Sequence, residues 1–90
     1  MLTLHSRPCT DPKVVSRPIE SESVLVQPHL GKIKVVNEVG ALIWQLCDGQ
    51  HSVEEIVEAV CQQYGVEAQQ AEIDALQFLN TLAERGLIVF

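Results

Sequence analysis

Ninety residues fit one domain, and no linker composition divides the chain into two. Six basic residues face twelve acidic ones, and the resulting net charge of −6 argues against a nucleic-acid partner, whose phosphates are neutralised by Lys and Arg. No apolar run approaches the roughly 20 residues of a membrane span, and three cysteines without CxxC spacing or a secretory apolar segment suggest a reducing, cytoplasmic setting with no metal centre.

Residues 1–12 contain two prolines and no sustained period, so they read as a flexible segment, loose or extended, ahead of a domain spanning 13–90. Lys13 to Ile19 carries Val14 and Val15 before Arg17-Pro18, a composition suited to a short first strand at a sheet edge. Glu20-Ser21-Glu22 is a polar turn. Val24, Leu25 and Val26 form a second strand that Pro28 ends, and Leu30-Gly31 turns the chain. In Lys32-Ile33-Lys34-Val35-Val36, Ile33 and Val35 share one face and the lysines the other, which predicts a half-buried third strand with its valine and isoleucine inward. Three short strands with short turns suggest an antiparallel meander.

The stretch Val36 to Gly49, VNEVGALIWQLCDG, reads as the first helix and as the centre of the core. Asn37 is placed to accept from a free N–H of the first turn, and Glu38 puts a negative charge where the helix dipole favours one. Val39, Leu42, Ile43, Leu46 and Cys47 recur at helical spacing, and Gly49 is placed to close the end in a left-handed conformation. The second helix runs from about Val53 to Tyr64, opened by the Ser52/Glu55 capping box and closed by Gly65. Its apolar stripe is Val53, Ile56, Val57, Val60, Cys61 and Tyr64.

The third helix runs from about Ala68 to Arg85, closed by Gly86, and has two apolar stripes. One is Ile73, Leu76, Leu79 and Ala83; the other is Ala71, Ala75, Phe78 and Leu82. Two readings stand for that width: contact with both the sheet and the other helices, or a second stripe that borders an open groove. Trp44 likewise either covers the edge of the core or walls a peptide site. The order β-β-β-α-α-α gives an α+β fold, a helix-turn-helix arrangement beside a small three-stranded antiparallel sheet.

Catalysis has little to work with. His5, His29 and His51 are scattered, none beside a nucleophile in a recognisable pattern, and the glycines show no phosphate-loop spacing. The chain reads as a non-enzyme. Its third strand, by contrast, is an edge of the meander. Beside an apolar third helix, a free edge is the arrangement for β-augmentation, in which a peptide adds as a strand and pockets read its side chains. Lys32 and Lys34 either steer an acidic segment of that peptide or act as edge charges against aggregation.

The run VVNEVGALIWQLCDGQHSVEEIVEAVCQQYGV, followed by Asp74, Phe78-Leu79, Leu82 and Arg85-Gly86-Leu87, resembles the PqqD-like family of peptide chaperones. These are recognition elements for ribosomally made, post-translationally modified peptides, and the resemblance covers about Lys13 to Ile88. Val36-Asn37 stands for the family's usual Leu-Asn, and Ser52 for its usual capping Thr. The resemblance implies a winged-helix-like fold and a precursor's leader peptide bound between the third strand and the third helix. By position it implies contacts from Lys32, Ile33, Lys34, Val35 and Val36, and from Ala71, Asp74, Ala75, Phe78 and Leu82. No cofactor is implied.

Within the family, Leu30-Gly31-Lys32-Ile33 is more similar to stand-alone lasso-peptide recognition proteins, whose partner is a leader peptidase. The proline ending the second strand is similar to pyrroloquinoline quinone chaperones, whose partner is a radical SAM enzyme; the lasso type is favoured. A winged-helix DNA-binding regulator is the competing class. Its recognition helix would carry Gln69, Gln70, Glu72 and Asp74 outward, with only Arg85 basic, which supplies few phosphate contacts.

Overall fold

The computed structural model describes residues 2–90. Three strands, β2 (Val15–Ile19), β3 (Glu22–Gln27) and β4 (Lys32–Val36), follow a two-residue strand β1 (Cys9–Thr10). Three helices come next, α1 (Glu38–Leu46), α2 (Val53–Tyr64) and α3 (Ala68–Glu84), and the chain ends on β5 (Ile88–Val89). The sheet order is β2-β3-β4, antiparallel throughout, with Val24 opposite both Arg17 and Val35. The expected α+β architecture, a three-stranded antiparallel sheet followed by three helices, is the one observed.

Local chemistry sets the element ends. Asn37 Oδ1 accepts from Gly40 N at 2.9 Å and opens α1. Ser52 and Glu55 form the reciprocal capping box of α2, with Ser52 N to Glu55 Oε1 at 2.8 Å and Glu55 N to Ser52 Oγ at 3.2 Å. At the end of α3, Leu87 N bonds back to Leu82 O and Gly86 sits at φ +74°, a Schellman closure with both leucines buried. Gly49 does not close α1, which ends at Leu46 with Cys47 as its cap. It lies further on, in the turn before α2, where its N–H donates to Pro8 O.

The core lies between the helices and one face of the sheet. Leu25 and Val36 from the sheet meet Ile43 and Trp44 of α1, Ile56 and Val60 of α2, and Leu79 and Leu82 of α3. The buried Gln27 ties β3 to the end of α3 by donating to Arg85 O at 3.0 Å.

Three readings change. In β4 the alternation holds but its sense is reversed: Ile33 and Val35 are 68% and 61% exposed, while Val36 is buried and Lys34 half-buried. The register explains this. Lys34 pairs with the buried Leu25, so its aliphatic stem lies on the helix side, and Val36, two residues on, takes the core position. In α3 the buried stripe is Ala71, Ala75, Leu79 and Leu82, whereas Ile73 is exposed. The helix therefore turns its small residues to the core.

The third change concerns residues 2–12, read as loose or extended. They are packed, with a turn at Leu4–His5 ahead of β1: Leu2 and Pro8 are buried, and β1 pairs with β5. Ser6 O and Leu4 O accept from Val53 N and Glu54 N, two free donors at the start of α2.

Candidate functional site

A cavity of about 340 Å³ opens at the end of the fold where β4 runs into α1. Asn37, Val39, Gly40 and Ile43 line it from α1 and its cap, Val60 and Val66 from the end of α2 and the following loop. Ala71, Asp74, Ala75 and Phe78 complete it from α3. The walls are apolar. The polar groups are Asn37, whose Oδ1 already caps α1, and the exposed Asp74, whose Oδ1 accepts from Gln70 Nε2 at 2.9 Å. Its size and lining are those of a small ligand pocket with few polar groups.

Gly40 sets the close packing at one wall of the cavity. A Cβ there would lie 3.0 Å from Val36 Cβ and 3.1 Å from Phe78 Cζ. With no side chain at Gly40, α1, the end of β4 and the Phe78 ring approach without displacing one another. Glycine inside a helix costs about 1 kcal/mol against alanine, and here it is repaid in packing.

Of the residues read from the sequence, Ala71, Asp74, Ala75 and Phe78 meet around this cavity. Ala71 and Ala75 are almost wholly buried and form its floor, Phe78 is a half-buried wall, and Asp74 stands in solvent. Lys32 to Val36 lie on β4, whose far edge pairs with no strand among the described residues. Leu82 is fully buried in the core. Sequence reasoning missed Asn37, Val39, Gly40, Ile43, Val60 and Val66. Gly40 was the available signal, since an internal helix glycine marks a close approach. Trp44, at 7% exposure, belongs to the core edge and is no open aromatic wall.

The polar clusters elsewhere are structural. Asp48 accepts from Gln50 N at 2.8 Å and meets His51 Nδ1 at 3.0 Å, contacts that hold its carboxyl below the usual range. Cys47 adjoins Asp48 in sequence, yet burial, with smaller contributions from Asp48 and Cys9, pushes its thiol up to about 12. It is a core group rather than a thiolate nucleophile. Among the described residues, no three His, Cys, Asp or Glu side chains gather as a metal site, and no helix is long and apolar enough to cross a membrane. The exposed side of α3 carries Gln69, Gln70, Asp74, Gln77 and Glu84, with no Lys or Arg on the helix.

Known proteins share this architecture. "TbiB1 in Complex with the TbiA(beta) Leader Peptide" superposes with a TM-score of 0.81 at 35% identity, over 89% of this chain and 93% of that one. "Lasso peptide synthetase B1 complexed with the leader peptide" superposes with a TM-score of 0.83 over 94% and 100% of the two chains; at 24% identity this likeness speaks for the fold. No curated protein matches the chain. The family model described as coenzyme PQQ synthesis protein D (PqqD) matches residues 22–88, from the start of β3 to the first residue of β5, and the chain belongs to that family.

Proposed function

We propose that this protein is a non-catalytic recognition element that binds the leader of a ribosomally made precursor peptide and presents it to a separate maturation enzyme. The carrying observation is the free edge of β4 running directly into an apolar cavity at Asn37 and Gly40. A leader lying along Lys32–Val36 gains backbone hydrogen bonds that any sequence can make. Its alternate side chains turn to the helix side, where the cavity between α1 and α3 receives an apolar one. Ala71 and Ala75 keep the floor low, Phe78 forms a side wall, and Asp74 and Lys34 offer polar contacts beside it. The 35% identity to a chain solved with a leader peptide supports the same class of ligand here. The partner favoured is a leader peptidase of a lasso-peptide system.

Chemical-shift mapping with a synthetic leader peptide of a lasso-type precursor tests the reading. The largest shifts are expected at Ile33 to Val36, Val39, Asp74 and Phe78. Phe78→Ala, with its fold verified by melting, is expected to weaken leader binding at least about tenfold, or about 1.4 kcal/mol. Shifts confined to the first half of α2 and the Asp48–His51 turn, with β4 and Phe78 silent, overturn the site.

A further inference from the structure

The groove between β4 and α3 changes charge along its length. Lys34 stands opposite the buried Leu25 and Lys32 opposite the buried Gln27, so both lysines share the helix side of β4 with Val36. Gln27 also donates to Arg85 O, which sets the start of β4 beside the end of α3. The cavity, with Asn37 and Asp74 in its wall, sets the end of β4 beside the first half of α3. The two elements therefore run in opposite directions. Between them lie Lys32 and Lys34 at one end, the apolar cavity next, and Asp74 beyond it. From Val35 to Glu84 the chain carries acidic residues and no Lys or Arg, so the two lysines are cations at the rim of an acidic half. Neither lysine nor Asp74 makes an ion pair among the described residues, and Gln70 engages only Oδ1 of Asp74.

We infer that the groove reads the order of charges along the leader: a carboxylate side chain against Lys34 or Lys32, an apolar side chain in the cavity, and a basic side chain against Asp74. The inference rests on leader binding along β4 as proposed above. Side chains on one face of an added strand recur at every second position. The leader residue opposite Lys34 is therefore two positions from the one opposite Val36 at the cavity mouth, and the residue opposite Lys32 is four positions away. Backbone hydrogen bonds are indifferent to this register. A slip by one residue turns the apolar side chain away from the cavity, but a slip by two keeps every side chain on its own face. A leader with several apolar residues can thus slip by two and still fill the cavity. The charges oppose that slip, since it removes each charged side chain from its partner, and opposite charges directly across a strand pair attract while like charges repel. Lys34 and Asp74 thereby determine specificity more than affinity, because exposed ion pairs contribute little to binding strength.

The test starts from a panel of fluorescein-labelled synthetic leaders of lasso-type precursors. In the tightest binder, alanine scanning locates the anchoring apolar residue. Two derivatives of equal composition are then made, their other charges replaced by Gln. One has Glu at the second and fourth positions on one side of the anchor and Lys at those on the other side; the second has the two exchanged. The parent is expected to bind one order at least about fivefold tighter than the other, with the difference largest at low ionic strength. A nitroxide at the Glu end of the preferred peptide is expected to broaden the amides of Lys32 and Thr81 more than those of Val39 and Asp74. In Lys34→Glu/Asp74→Lys the preference is expected to reverse, whereas in Lys13→Glu, a charge reversal outside the groove, it is expected to stay as in the parent. If Lys34→Glu does not fold, Lys32→Glu/Asp74→Lys carries the same test, since both of those side chains are exposed. Equal affinity of the parent for the two orders, or broadening at the Asp74 end, overturns the inference and leaves leader recognition intact. A preference that Lys13→Glu abolishes as well overturns it in favour of overall charge. A parent that binds none of the panel refutes the proposed function itself, and the charge order with it.

Discussion

Ile56 and Leu46 occupy the apolar stripes of successive helices, yet only Ile56 is closed to water, at 0% exposure, while Leu46 is half-buried. Periodicity identifies a stripe and leaves open which of its members sits deepest, because depth is set by the neighbouring elements. Ile56→Ala is therefore expected to cost about 2–5 kcal/mol, the range for truncating a core aliphatic. Leu46→Ala is expected to cost less than half as much as Ile56→Ala. Urea unfolding of the two variants side by side checks the order, and equal losses would mean that Leu46 is better packed than its exposure indicates. The same distinction governs Ala75. Read as the border of an open groove, it is 1% exposed and serves as cavity floor, so a large residue there would overpack the core as well as fill the cavity.

Among the elements, helix ends were the most legible. Asn37, Ser52/Glu55 and Gly65 act through hydrogen bonds and backbone conformations within a few residues, which the local sequence determines. The facing of β4 was not legible. Alternation groups Ile33 with Val35 under either orientation, and the choice rests on the register that sets Lys34 opposite Leu25. The capping box also gives a pH dependence. The Ser52 N–H bonded to the Glu55 carboxylate holds its pKa below the ordinary value. The folded chain thus binds this proton less readily than the unfolded chain. The associated stability is present above the unfolded carboxylate pKa of about 4.3 and is lost as pH falls through the lower folded value. Denaturant midpoints measured from pH 7 to pH 3 are expected to fall less steeply for Glu55→Gln than for the parent, the remaining slope including Asp48, which is lowered in the same direction. An identical acid slope would show that the box contributes nothing through the charge of Glu55.

At the scale of the molecule, the order of strands and helices was legible because each carries its own period and punctuation. The closure by the N-terminal segment was not, since β1 and β5 have two residues each and no period can show in so short a run. The segment reaches two places distant in sequence, the end of α1 and the end of the chain: Thr10 N donates to Cys47 O and Gly49 N to Pro8 O, and Asp11 N donates to Leu87 O. With Ser6 O and Leu4 O accepting from the start of α2, it braces the end of α1 and the beginning of α2. The cavity lies at the opposite ends of those helices, by Asn37 and Val60. The bracing end of the fold and the proposed leader site are therefore separable along the helix axes. Deleting residues 2–10 removes buried Leu2 and Pro8 and the β1–β5 pairing. Burial of one leucine alone contributes about 1.5–3 kcal/mol, and for a domain of this size each kcal/mol corresponds to about 4–8 °C in Tm. The truncated chain is expected to melt at least about 8 °C below the parent and, well below that temperature, to bind leader with affinity within about threefold of the parent's. An unchanged Tm would reduce the segment to an ornament on a domain that begins at Lys13. A loss of leader binding in a chain that is still folded would mean that the brace positions β4 and α3, so that the two ends of the helices are coupled after all.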